Sequence, residues 1–113
     1  MLIVDDHATW RRFARRLLEE AGFDVVGEAE DGASAIAAAH DLAPGAVLLD
    51  VLLPDRSGLE IAAELARTPT AVVLTSSRSA CDLGAALEEA PKKGFIPKNA
   101  FSGRAFAELV AVE

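Results

Sequence analysis

Three aspartates, a threonine and a lysine stand in this sequence where short apolar runs end. Leu2-Ile3-Val4 stops at Asp5-Asp6, and Ala46-Val47-Leu48-Leu49 stops at Asp50. Thr70 to Leu74 stops at Thr75, and Gly94-Phe95-Ile96, closed by Pro97, leads to Lys98. Each residue alone is also what a turn or a helix cap uses. If the four runs are neighbouring strands, the five side chains share one cleft. Three carboxylates there repel one another, which raises at least one pKa, and a divalent cation relieves the repulsion. Carboxylates with a backbone carbonyl and water form an all-oxygen donor set that suits Mg2+ better than zinc, and the sequence offers no Cys/His ligand set. A carboxylate beside such a cation can attack a phosphoryl group to give an acyl phosphate. The transferred group spreads its charge over three oxygens: one for the metal, one for an ammonium such as Lys98, one for a hydroxyl such as Thr75.

The elements that must position these residues alternate between strand and helix. After Leu2-Ile3-Val4, the residues Trp10, Phe13, Ala14, Leu17, Leu18 and Ala21 repeat at helical spacing as one apolar face, with Gly22 as its stop. Arg11, Arg12, Arg15, Arg16, Glu19 and Glu20 fill the other side and read as a solvated face. Phe23 to Glu28 is the second strand, Asp31-Gly32 turns the chain, and a helix runs over about Ala33 to Asp41 until Leu42-Ala43-Pro44-Gly45 breaks it. The run ending at Leu49 is continuously apolar, as a strand buried on both faces requires. The turn Pro54 to Gly58 then leads into a helix over Leu59 to about Ala66. Another buried strand, Thr70 to Leu74, precedes a helix from about Ala80 to Ala90 that is expected to bury Leu83, Ala86, Leu87 and Ala90. Gly94 to Ile96 is the last strand, where Pro97 fits an edge position. Ser102 caps a final helix running from Gly103 to the C-terminus, with Phe106, Leu109 and Val110 turned inward.

Five strands alternating with five helices give an α/β fold: a doubly wound (βα)5 parallel sheet of flavodoxin-like order 2-1-3-4-5, with one domain spanning 1–113. That order places the strand ends carrying Asp5-Asp6, Asp50 and Thr75 side by side, at the crevice where the order reverses.

The totals narrow the class. The chain has 113 residues, 51% of them hydrophobic, enough for one packed domain. A formal net charge of -7 argues against nucleic-acid binding by this domain. The single cysteine, Cys81, forms no disulfide within the chain, which fits a reducing compartment. No apolar run approaches the roughly 20 residues of a membrane span. The opening Met-Leu-Ile-Val lacks the basic start of a signal peptide. The expectation is a soluble, cytoplasmic domain. Cys81 is expected to be buried or half-buried, and His7 to be a surface residue at a helix start.

With these residues in place, the sequence resembles the response-regulator receiver domains of two-component signalling over its whole length. The family's acidic pair falls on Asp5 and Asp6 in LIVDDH, and its phosphoacceptor on Asp50, with proline four residues on (Pro54) and glycine eight on (Gly58). Its hydroxyl residue falls on Thr75 in VVLTSS, followed by the small Ser76, and its lysine on Lys98 in GFIPKNAF. The aromatic switch position falls on Phe95. The resemblance implies that Asp6 and Asp50 bind Mg2+ directly, with a main-chain oxygen from Leu52 and help from Asp5, in part through water. It implies that Asp50 takes a phosphoryl group from a phosphohistidine on a sensor histidine kinase or phosphotransfer protein. Thr75 would then move toward the phosphoryl group and Phe95 turn inward. That would remodel the face made by the fourth helix, last strand and last helix, through which a homodimer can form. Such a domain catalyses only its own phosphorylation and dephosphorylation.

VDDH and GFIPK resemble the NarL/FixJ-like subfamily, whose receivers precede a helix-turn-helix output domain. That implies transcriptional control, with a stand-alone phosphorelay receiver as the alternative. Asn99 replaces the proline that often follows the family lysine, Ser57 replaces a common acidic residue, and Arg67-Thr68-Pro69 is a short loop. Ala90-Pro91-Lys92-Lys93 replaces a common Ala-Gly pattern. Two other classes use related residues. A Mg2+-dependent phosphohydrolase of the haloacid dehalogenase type wants its nucleophile in a DxD pattern on the first strand. A flavodoxin-like FMN domain wants a hydroxyl- or glycine-rich loop where Asp5, Asp6 and His7 stand.

Overall fold

The computed structural model describes residues 1–111. Five strands, β1 (Leu2–Val4), β2 (Gly27–Ala29), β3 (Ala46–Asp50), β4 (Ala71–Ser76) and β5 (Gly94–Pro97), form one sheet in the order β2-β1-β3-β4-β5. Every pairing is parallel. The helices between and after them are α1 (Ala8–Glu20), α2 (Gly32–Leu42), α3 (Gly58–Leu65), α4 (Ala80–Glu89) and α5 (Gly103–Val110). The expected class and strand order both stand. Val112 and Glu113, the end of the predicted final helix, lie outside the described residues.

The central strands are apolar on both faces because each face has its own layer of helices. Leu2, Val4, Val47, Leu49, Val72 and Leu74 point into a core with Ala35, Ile61, Ala62, Leu65 and Leu87 of α2, α3 and α4. Ile3, Leu48, Val73 and Ile96 point into the other, with Ala14 and Leu18 of α1 and Phe106 of α5. Period-two alternation thus sorts residues between two cores rather than between core and water.

Several local expectations need correction. The second strand begins at Gly27 rather than Phe23, because β1 offers only Leu2 to Val4 for pairing, in register with Gly27 to Ala29. Phe23 instead packs edge-on against Phe106, with ring centroids 5.1 Å apart. Strand β4 extends past Leu74 through Thr75 and Ser76, since β3 and β5 continue its ladder with Asp50 opposite Thr75 and Pro97 opposite Ser76. The apolar stripe of α1 is not all core: Ala14 and Leu18 are buried, whereas Phe13 is 40% exposed and Ala21 is exposed. Helix α4 departs furthest. Gly84 breaks it with φ 66° and ψ -149°, backbone angles that in practice only glycine adopts. Of the four residues expected to be buried there, only Leu87 is; Leu83 and Ala90 are half-buried and Ala86 is exposed. Cys81, in the first turn of α4, is exposed.

Candidate functional site

The site forms where β1, β3 and β4 end. Asp5 follows β1 and is buried; its amide donates to the Ala29 carbonyl (3.0 Å), so the sheet fixes its backbone. Asp50 closes β3 and is 3% exposed. Thr75 stands opposite it in register and is fully buried, with its Oγ1 lacking a protein partner. Lys98 begins a 3-10 turn over Lys98–Ala100, directly after β5. Its Nζ lies 2.6 Å from Asp5 Oδ2 and 3.3 Å from Asp50 Oδ2, and its side chain is 16% exposed. The contact with Asp5 has ion-pair distance without the alignment of a hydrogen bond. All of these residues were expected to meet, and they do.

The loop after β3 is shaped by two devices. The Gly58 amide donates to the Val51 carbonyl (2.7 Å), and a Cβ on Gly58 would collide with the Asp50 carbonyl oxygen and approach Val51 Cα to 2.8 Å. Only glycine allows that approach. Asp55, expected only as a turn residue, reaches across to cap α2 by accepting from the amides of Gly32 (2.7 Å) and Ala33 (3.0 Å). Those amides lower its pKa, Gly32 contributing most. The loop is thereby tied at both ends, and the Leu52 amide donates to Asp50 Oδ1 at 3.1 Å.

Electrostatics follow from burial. Asp50 is pushed up from 3.8 to about 6, chiefly by desolvation; the Leu52 amide opposes this, Asp5 adds to it, and Lys98 opposes it again. The sequence expectation that crowding raises one carboxyl pKa is met at Asp50, with burial rather than repulsion as the larger cause.

Three neighbours went unrecognised in the sequence. His7 Nδ1 lies 3.1 Å from Asp5 Oδ1 and 3.0 Å from Asp6 Oδ1, so this exposed residue leans on the acidic pair. Arg11, assigned to a solvated face, is 16% exposed; it donates to the Asp5 carbonyl (2.6 Å) and pairs with Glu28 (2.9 Å). Trp10, assigned to the core face of α1, carries its ring beneath Lys98, with Nζ 5.2 Å from the ring centroid. Phe95 is half-buried on β5 and packs at the edge of the core that includes Leu87.

Asp5, Asp6, His7 and Asp50 each offer a ligand atom within 4.8 Å of the others. Three carboxylates in one cleft beside an unpartnered buried hydroxyl fit a hard divalent cation and an oxyanion next to it. The arrangement can therefore hold a metal, present a carboxylate nucleophile, and offer an ammonium and a hydroxyl to a phosphoryl group.

The family model described as "Response regulator receiver domain" matches residues 1–110. The nitrate/nitrite response regulator protein NarP of Escherichia coli is 41% identical over 103 residues, covering 88% of this chain and 47% of NarP. A protein-glutamate methylesterase/protein-glutamine glutaminase of Halobacterium salinarum is 41% identical over 96 residues, covering 84% of this chain and 27% of that protein. The chain thus spans about a quarter to a half of the length of these curated relatives. Among solved structures, the signal receiver domain of the putative response regulator NarL from Mycobacterium tuberculosis superposes with a TM-score of 0.89 at 28% identity, covering 99% of this chain and 95% of that one.

Proposed function

This chain belongs to the response regulator receiver domain family of two-component signalling, and from that premise we propose that Asp50 is its phosphoacceptor. The observation that carries this reading is Asp50 itself: a carboxylate 3% exposed, held near pKa 6, with the Lys98 ammonium at 3.3 Å and an orphaned Thr75 hydroxyl in the next strand. One of its oxygens attacks the phosphorus of a phosphohistidine on a sensor histidine kinase or phosphotransfer protein. A new O–P bond forms as the P–N bond breaks, and the imidazole leaves with that electron pair.

Asp5, Asp6 and Asp50, with the main-chain oxygen of Leu52, are the residues to hold Mg2+, which when bound offsets the carboxylate charge and draws charge from the phosphoryl oxygens. Lys98 holds a second phosphoryl oxygen, and the Thr75 hydroxyl donates to a third. Phosphorylation adds roughly -1.5 to -2 charge at Asp50. Thr75 moves to meet it, Phe95 turns into the vacated space, and the α4–β5–α5 face is remodelled for a homodimer, an output domain or a partner. A relative from Pseudomonas aeruginosa described as a putative transcriptional regulator supports a transcriptional output. Residues 1–113 act in the cytoplasm as one receiver that catalyses only its own phosphorylation and dephosphorylation. Among the described residues no helix is long and apolar enough to cross a membrane.

Incubation with acetyl phosphate and Mg2+, followed by intact-mass measurement, tests the reading. The parent gains one phosphoryl group and Asp50→Asn gains none. No gain in the parent, or an equal gain in both, removes Asp50 from the role.

A further inference from the structure

Lys98 has more to satisfy than one carboxylate. Its ammonium sits between Asp5 Oδ2 at 2.6 Å and Asp50 Oδ2 at 3.3 Å, and the contact with Asp5 is not aligned as a hydrogen bond. Of these two carboxylates only Asp50 directs it, through a hydrogen bond of 3.3 Å. The Trp10 ring, 5.2 Å from Nζ, supplies a further restraint. That ring is itself wedged: Phe101, which follows the Lys98–Ala100 turn, meets it edge-on at 5.5 Å, and Phe13 packs on it at 5.4 Å. Trp10 Nε1 is buried without a protein partner, a desolvation cost that phenylalanine would not carry. Indole is also the ring that attracts a cation most strongly. A tryptophan that leaves its own N–H unpaired while presenting its ring to the one lysine of the site is explained by the ring.

The geometry points to Trp10 as a positioning residue for Lys98: its ring holds the ammonium at the mouth of the carboxylate cluster, where it meets the incoming phosphoryl oxygen. This role rests on the phosphoacceptor reading of Asp50. The sequence reading placed Trp10 in the core, and Phe101 and Phe13 show that it does pack; the added role is what the test separates.

Labelling of Asp50 is followed in the full chain at saturating Mg2+ and acetyl phosphate, in Trp10→Phe, Trp10→Leu, Lys98→Met and the double variant Trp10→Leu/Lys98→Met. Trp10→Leu is expected to slow labelling about five- to tenfold and Trp10→Phe about two- to threefold, the range a shielded cation–π contact supports. In the Lys98→Met background, Trp10→Leu has no further effect, because the group it positions is gone. Trp10→Phe melts no lower than the parent although it labels more slowly, a split that a purely structural role does not give. Independently, Trp10 is the only tryptophan, and its emission shifts when Lys98 is replaced by methionine. Equal slowing by Trp10→Leu with or without Lys98, or emission indifferent to Lys98→Met, overturns the proposal. If Trp10→Leu does not fold, Trp10→Phe and the emission decide. If the parent is not labelled at all, the phosphoacceptor reading fails, while the emission comparison still tests the contact.

Discussion

Helices α1 and α4 each begin just past a strand that ends at the site, yet they are attached in opposite ways. Helix α1 buries Ala14 and Leu18, sets Trp10 against Phe101, and sends Arg11 and Arg15 to Glu28 at 2.9 and 2.7 Å. Arg11 also grips the Asp5 carbonyl, and Arg15 the Val25 carbonyl at 3.2 Å. Helix α4 buries Leu87 alone and is broken at Gly84. Its firm end is the C-terminal one, where Lys92 Nζ donates to the carbonyls of Leu87 (2.6 Å) and Ala90 (3.2 Å). A charge change at Asp50 can displace only an element whose attachment is weaker than the change itself. The contrast places rigidity where the acidic residues must keep their geometry, and compliance on the face proposed to carry the signal.

The contrast should be strongest in local opening. Amide hydrogen exchange in α1 is expected to require nearly global unfolding, whereas amides of Leu83 to Leu87 exchange at least about 100-fold faster through local opening. Comparable protection in both helices would dissolve the contrast.

Next in size is the strain in the fixed region itself. Folded Asp50 keeps its proton to about pH 6, against 3.8 for the ordinary side chain. Protonation therefore favours folding, and stability falls as pH rises from about 4 to about 6, by an amount on the order of 3 kcal/mol in the absence of metal. Asp50→Asn removes that loss while keeping an oxygen for the Leu52 amide. Denaturant titrations in chelator should show a flatter pH profile and a variant more stable than the parent at pH 7. Parallel profiles in parent and variant would mean that burial of Asp50 carries no such cost.

A smaller loss is expected from Arg11→Ala, about 1–2 kcal/mol, because a mostly buried guanidinium bridges the Asp5 carbonyl and Glu28. Burial raises the Glu28 pKa, but hydrogen bonds from Arg15 and Arg11 outweigh it and leave Glu28 below its ordinary value. Acid titration of Glu28 in the variant should therefore move upward, read by carboxyl NMR. An unchanged titration would show that Arg15 alone carries the link.

What the sequence made legible divides along the same line. Strand order and the meeting of Asp5, Asp50, Thr75 and Lys98 follow from alternation, and from the rule that open α/β sheets gather their chemistry at strand ends. Those inferences need only local pattern and topology. The bracing of α1 needs pairings across 13 to 17 residues, Arg15 and Arg11 with Glu28, and periodicity carries no information about them. Asp55 caps α2 from 22 and 23 residues away, and nothing in Pro54 to Gly58 marks that. The place of Trp10 beneath Lys98 depends on how the turn after β5 lies on α1. Helix α4 departs for a different reason: its apolar spacing suggests burial, and that spacing carries no sign of the break at Gly84.

That glycine gives the last and smallest prediction. Beyond its chain neighbours and its own helix backbone, no atom lies within 4 Å of where a Gly84 Cβ would stand, so space does not demand glycine; only the backbone angles do. Two outcomes follow from different physics. If packing holds the break, alanine must occupy a backbone region that strains it by about 1–3 kcal/mol. If the break is merely tolerated, alanine lets α4 run straight and adds about 0.5–1 kcal/mol of helix preference. With Leu87 the only buried side chain of α4, little is available to enforce the break. Gly84→Ala is therefore expected to stabilise slightly, and to slow amide exchange across Leu83 to Leu87 while leaving α1 unchanged. The straightened helix would also be harder to displace, so phosphorylation at Asp50 should shift α4 chemical shifts less than in the parent. A net loss above about 1 kcal/mol would show instead that α4 is held in its broken shape, and would make the compliant face as constrained as the fixed one.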